Sequence, residues 1–135
     1  MAADIDRILR ETSTVAIVGA SANRARAVYG VWKYLESASD YALYLVNPTI
    51  SDIDNIPTYP NLAALPVVPD LVDVFRRHEY LSSVLDETIA VGAKTLWLQS
   101  GLWDDEVARR GEAEGLQVVM DRCLKVEHAR LLSVS

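Results

Sequence analysis

Thr14-Val15-Ala16-Ile17-Val18-Gly19-Ala20-Ser21 decides the fold class. Five residues, four of them β-branched, stop at a glycine followed by two small residues. The same form recurs along the chain. Leu43-Tyr44-Leu45-Val46 stops at Asn47-Pro48, and Leu71-Val72-Asp73-Val74-Phe75 stops at Arg76-Arg77. Thr95-Leu96-Trp97-Leu98 stops at Gln99-Ser100-Gly101, and Gln117-Val118-Val119-Met120 stops at Asp121-Arg122-Cys123. Short runs of continuous hydrophobicity are how parallel strands covered on both faces read.

Helical patterns separate the runs. Val28, Val31, Trp32 and Leu35 share one helix face, as do Leu81, Val84, Leu85, Thr88 and Ile89, with Gly92 placed as a C-terminal cap. Asp104-Asp105-Glu106 suits the positive end of a helix that Gly115 can end. Ile5, Ile8 and Leu9 predict a short leading helix, and Leu124, Val126 and Leu131-Leu132 a trailing one. The stretch 51–69 differs. It holds Pro57, Pro60, Pro66 and Pro69, and only Leu62 to Leu65 reads as a helical turn. It is expected to be a loop-rich connection in the slot of a second crossover helix. Strand and helix alternating in this way predict an α/β doubly wound, Rossmann-like fold. The expected sheet has five parallel strands in the order 3-2-1-4-5. Its topological switch falls between strands one and four, and ligands bind at the carboxyl ends of strands beside such a switch.

The 135 residues fit one domain, 1–135, and half of them are hydrophobic, enough for one core. Thirteen basic residues stand against 19 acidic ones, net −6, which argues against a nucleic-acid partner. It leaves room for one anionic ligand held by a few amides and an arginine. One cysteine and two histidines exclude an intrachain disulfide and a Cys-rich zinc site. MAADIDRILRE has no apolar core of a secretory leader, and no run reaches the roughly 18 apolar residues of a membrane span. A cytoplasmic domain with no membrane partner is expected.

The strand ends supply the candidates. Gly19, Ala20 and Ser21, with Arg24 and Arg26 behind them, form either a plain tight turn or a turn that admits a phosphate. The pattern is not the dinucleotide fingerprint, because Ser21 stands where its second glycine belongs and no third follows. Asn47-Pro48 is either a turn initiator or a ligand edge. A fold holding NAD places an acid near here for the ribose diol, and Asn47 is neutral. Phe75 and Arg76 can hold a base and a phosphate, whereas Arg77 reads as solvated. Gln99 and Gly101 end strand four, Trp97 reads as core, and Cys123 follows strand five. No nucleophile-base pair or carboxylate pair is recognisable, and His78 and His128 read as surface or helix-face residues.

These residues resemble a known family. Val15 to Ser21, Tyr29-Gly30-Val31 with Tyr34-Leu35, and Val46-Asn47-Pro48 are similar to the small stand-alone CoA-binding proteins of bacteria. So are Tyr59-Pro60-Asn61-Leu62, Val72 to Arg77, Trp97-Leu98-Gln99 with Gly101, and Met120 to Lys125. The fold of that family resembles the nucleotide-binding domain of the succinyl-CoA synthetase alpha subunit. The resemblance implies coenzyme A or an acyl-CoA bound across the switch. Gly19, Ala20 and Ser21 would meet the diphosphate, and Val46, Asn47 and Pro48 would border the adenosine side. Phe75 and Arg76 would close the site, with Gln99 to Gly101 near the pantetheine. The chain departs from the family at Asp40-Tyr41 and at Ser51 to Ile56, where glycines are usual. A binding module is expected rather than an enzyme, with no protein partner indicated. An NAD(P)-binding oxidoreductase is the alternative.

Overall fold

Each apolar run becomes a strand and each periodic stretch a helix. A computed structural model describes residues 4–133. Residues 1–3 and 134–135, which the expected domain and the reading of the N-terminus also include, lie outside it. The strands are β1 (Thr14–Val18), β2 (Ala42–Val46), β3 (Asp52–Ile53), β4 (Ile56–Tyr59), β5 (Leu71–Val74), β6 (Thr95–Leu98) and β7 (Gln117–Val119). The helices are α1 (Ile5–Glu11), α2 (Ala27–Ala38), α3 (Leu81–Val91), α4 (Asp105–Ala113) and α5 (Leu124–Ser133). Single turns of tighter helix lie at Leu62–Ala64 and His78–Tyr80.

Helix ends follow local chemistry. Asp4 caps α1 by accepting from the Arg7 amide, and Asp104 caps α4 by accepting from the Val107 amide at 3.0 Å. Gly92 ends α3 in the left-handed region, at φ 79°, where a side chain would be strained.

Alternation along the strands builds two apolar layers. Val15, Ile17, Leu45, Leu71 and Trp97 pack with Trp32 and Leu35 of α2 and Leu124 of α5. Ala16, Val18, Val72, Val74, Leu96 and Leu98 pack with Val84 and Leu85 of α3 and Val107 of α4. The Trp97 indole N–H, fully inside, donates to the Arg122 carbonyl at 2.8 Å, which satisfies its polar edge.

The doubly wound class holds, but the five-stranded order 3-2-1-4-5 is corrected. The sheet has seven strands in the order β3-β4-β2-β1-β5-β6-β7. All neighbours run parallel except β3 and β4. Leu71–Val74, the third run of the sequence, lies beside β1 rather than beyond β2. The place beyond β2 belongs to β4, inside the proline-rich stretch expected to be loop. Only Thr58 and Tyr59 of β4 are in register with β2, so Pro57, which lacks an N–H, stands outside that ladder. The turn between β3 and β4 uses Asp54 and Asn55 at φ 51° and 66°, the left-handed values a tight hairpin requires. With β4 counted, the switch falls between β1 and β5.

Candidate functional site

The carboxyl ends of β1, β2 and β5 meet in a cleft of ≈ 540 Å³. Its floor follows from the register of β1 on β5, which pairs Val18 with Val74 and sets Gly19 against Phe75. The Phe75 amide donates to the Val18 carbonyl at 2.8 Å. Gly19 has φ +90°, and a Cβ there would lie 2.6 Å from the Phe75 carbonyl oxygen. Glycine is therefore demanded by the crevice itself, before any ligand is considered.

The turn after β1 is held by β2. The amides of Gly19 and Ala20 both donate to the Val46 carbonyl, at 3.1 and 3.2 Å. Asn47 Nδ2 donates to the Ala20 carbonyl at 2.8 Å, and Asn47 Oδ1 accepts from the amide and hydroxyl of Thr49. Asn47 thus ties two loops together with its whole side chain. Further on, Ser21 Oγ accepts from the Asn23 amide and Asn23 Oδ1 from the Ala25 amide, both at 3.0 Å. The amides of Ser21, Ala22 and Arg24 take no partner among the described residues. They lead into the first turn of α2, which carries no acidic residue.

The wall opposite is cationic. The Arg76 guanidinium stacks over the Tyr80 ring at 4.2 Å from its centre. Arg77 lies 5.6 Å from the same ring and donates to the Tyr80 hydroxyl at 3.3 Å. Arg26 stands at the start of α2. Three arginines and no carboxylate line the cleft, in a chain of net charge −6. Arg26 and Arg76 make no ion pair among the described residues, while Arg77 lies 3.4 Å from Glu79.

Of the residues singled out from sequence, Gly19, Ala20, Ser21, Arg26, Asn47, Pro48, Phe75 and Arg76 come together here. Val46 joins through its carbonyl, since its side chain is buried in the layer of α3. Gln99 and Gly101 do not line the cleft. Gln99 is buried, and its Oε1 accepts from the Leu124 amide at 3.0 Å, capping α5. The Gly101 amide donates to Asp121 Oδ1 at 2.7 Å. Cys123 is half-buried against the α2 and α5 layer. Thr49 and Tyr80 complete the lining without having been singled out, and Arg77, expected to be solvated, joins them through its contacts to Tyr80. Tyr80 carries no signal of this kind in the sequence, since it reaches Arg76 through the tight turn His78–Tyr80. His78 sits outside the cleft with its Nε2 2.9 Å from Asp104. His128 is buried on a face of α5, where burial holds it below the ordinary histidine range.

Residues 13–129 match the family described as CoA binding domain. The chain belongs to the CoA binding domain family. A curated relative, the uncharacterized protein YneT of Bacillus subtilis, is 35% identical over 127 residues, 94% of this chain and 93% of that one. A hypothetical protein from Pyrococcus horikoshii is 33% identical with a TM-score of 0.88, covering 96% of this chain and 90% of that one. The dinucleotide-forming acetyl-coenzyme A synthetase 1 of Ca. Korarchaeum cryptofilum is 22% identical with a TM-score of 0.76. This CoA binding domain covers 26% of that synthetase, and the likeness there is one of fold.

Proposed function

We propose that this CoA binding domain holds coenzyme A or an acyl-CoA in the cleft between β1, β2 and β5, as a binding module rather than an enzyme. The observation that carries the reading is a cleft lined by three arginines and no carboxylate. Such a lining suits a ligand with several phosphate charges. The free amides of Ser21, Ala22 and Arg24, at the start of α2, suit a diphosphate. Arg76, stacked on Tyr80 and with no ion pair among the described residues, suits the ribose 3′-phosphate. At the end of β2, where NAD-binding folds place an acid for the ribose diol, Asn47 is neutral and already engaged. No histidine, cysteine or carboxylate lines the cleft to act as nucleophile or base.

NADP also carries a ribose phosphate and is the competing ligand. Melting the protein with CoA, acetyl-CoA, NADP and NAD separates the two. At a concentration about 100 times its dissociation constant, a ligand adds about 2.7 kcal/mol to stability, which for a domain of this size is a rise of several degrees. The expected result is that rise with CoA and acetyl-CoA and a smaller or absent one with NADP and NAD. A shift with NADP and none with CoA overturns the proposal.

A further inference from the structure

A second hollow opens from the cleft. Pro48, Arg76 and Tyr80 line both spaces and form the passage between them. The hollow, ≈ 190 Å³, lies between the ends of β1 and β2 and the helix α3. Val18, Val46, Leu62 and Val84 give it apolar walls. Its other polar side chains are few and come from two directions: Asn61 on one side, Ser83 and Glu87 from α3 on the other. Apolar walls with a small set of converging polar groups are the usual make-up of a small-molecule site.

The hydrogen bonds define what can be read. Glu87 Oε1 accepts from the Leu62 amide at 3.3 Å, which holds the carboxylate in place. Glu87 Oε2 has no hydrogen-bond partner among the described residues and is an open acceptor. Asn61 Oδ1 is occupied by the Ala64 amide at 2.9 Å, which leaves its Nδ2 as a donor. The Ser83 hydroxyl is uncommitted among the described residues. An acceptor on the α3 side and a donor on the opposite side suit adenine, which carries a 6-amino donor and ring-nitrogen acceptors around its rim. A 6-oxo purine would set its carbonyl oxygen against the carboxylate. A phosphate is disfavoured for the same reason, so the negative end of a nucleotide stays in the arginine-lined cleft.

We propose that this hollow is the base-reading pocket of the domain, with Glu87 selecting a 6-amino over a 6-oxo purine. The inference rests on the coenzyme A reading and adds a specificity-determining residue to it. A planar base enters past Tyr80 and lies between Val46 and Val84. Its phosphates remain under Arg76.

The test is calorimetric titration of the full chain with CoA and with its 6-oxo form, in which hypoxanthine replaces adenine. The Glu87→Gln variant is titrated alongside. Its amide keeps the acceptor for the Leu62 amide and also supplies a donor for a 6-oxo group. The wild type should bind CoA about tenfold or more tightly than the 6-oxo form, the size expected when one buried polar contact becomes a repulsion. Glu87→Gln should shrink that ratio several-fold, mostly by improving the 6-oxo form. A Ser83→Trp variant, which fills the hollow from an exposed position on α3, should weaken both ligands. Equal binding of the two forms by the wild type overturns the base-reading role and leaves the coenzyme A reading standing. An unchanged ratio in Glu87→Gln overturns the role of Glu87. Failure of the wild type to bind either form overturns the coenzyme A reading itself.

Discussion

Arg76 and Asp73 lie three residues apart and set opposite chemical problems. Arg76 is a cation at the cleft without a carboxylate partner, stacked on Tyr80. Arg76→Ala is expected to reduce the difference in affinity between CoA and dephospho-CoA while changing dephospho-CoA itself little, as titration of both ligands would read. A uniform loss for both would remove Arg76 from the 3′-phosphate. Asp73 is 0% exposed on β5, between Ile17 and Trp97, and neither of its oxygens has a hydrogen-bond partner among the described residues. Burial pushes its carboxyl well above the ordinary range. The folded chain therefore keeps a proton that the unfolded chain releases at about pH 4. Stability from this group is full below that pH and falls as pH rises toward the folded value, by up to about 1.4 kcal/mol per pH unit. Urea unfolding from pH 5 to 9 should show that decline in the wild type and a flatter profile in Asp73→Asn. Parallel profiles would show that Asp73 is not the proton holder. Gly19 belongs at this scale too. A Cβ 2.6 Å from the Phe75 carbonyl, at φ +90°, makes Gly19→Ala a stability change as much as a binding one. A loss of more than about 1 kcal/mol is expected by denaturant titration, and full stability would contradict the close approach of β1 and β5.

At the scale of elements, most of the fold was legible because each signal was local. The runs at Thr14–Val18 and Thr95–Leu98 are strands over those same residues, and Gly92 caps α3 as its position after the apolar face requires. Ile56–Tyr59 was not legible, since its strand character comes from pairing with β2 and β3 while Pro57 and Pro60 point to a loop. Missing that one strand moved the expected switch from between β1 and β5. The site shows the same division. Glycine and arginine at strand ends are visible in the chain, whereas the occupied Gln99 side chain, the Tyr80 brace and Glu87 depend on partners distant in sequence or on how α3 packs. Asn47 joins the two scales. Its side chain bonds Ala20 and Thr49, so it fixes the loop after β1 on the end of β2. Asn47→Ala should cost about 1–3 kcal/mol of stability by denaturant titration and weaken CoA as well. A variant as stable as the wild type would show that the loops hold themselves.

Across the whole molecule, charge is distributed against the average. A chain of net −6 gathers Arg26, Arg76 and Arg77 at one sheet edge with no carboxylate in the lining. The attraction of these guanidinium groups for a polyanion is screened by salt over about 8–10 Å at moderate ionic strength. CoA affinity should therefore fall as salt rises from 50 to 500 mM, and an affinity independent of salt would contradict a phosphate-holding cleft. The most direct measurement is titration of the wild-type chain with CoA, dephospho-CoA and NADP under one buffer. A charge-assisted contact to the 3′-phosphate contributes about 1.5–3 kcal/mol, or roughly 10- to 150-fold in affinity. The account predicts that CoA binds tightest, dephospho-CoA weaker by about that factor, and NADP weaker than CoA. Equal affinity for CoA and dephospho-CoA, or preference for NADP over CoA, would contradict it.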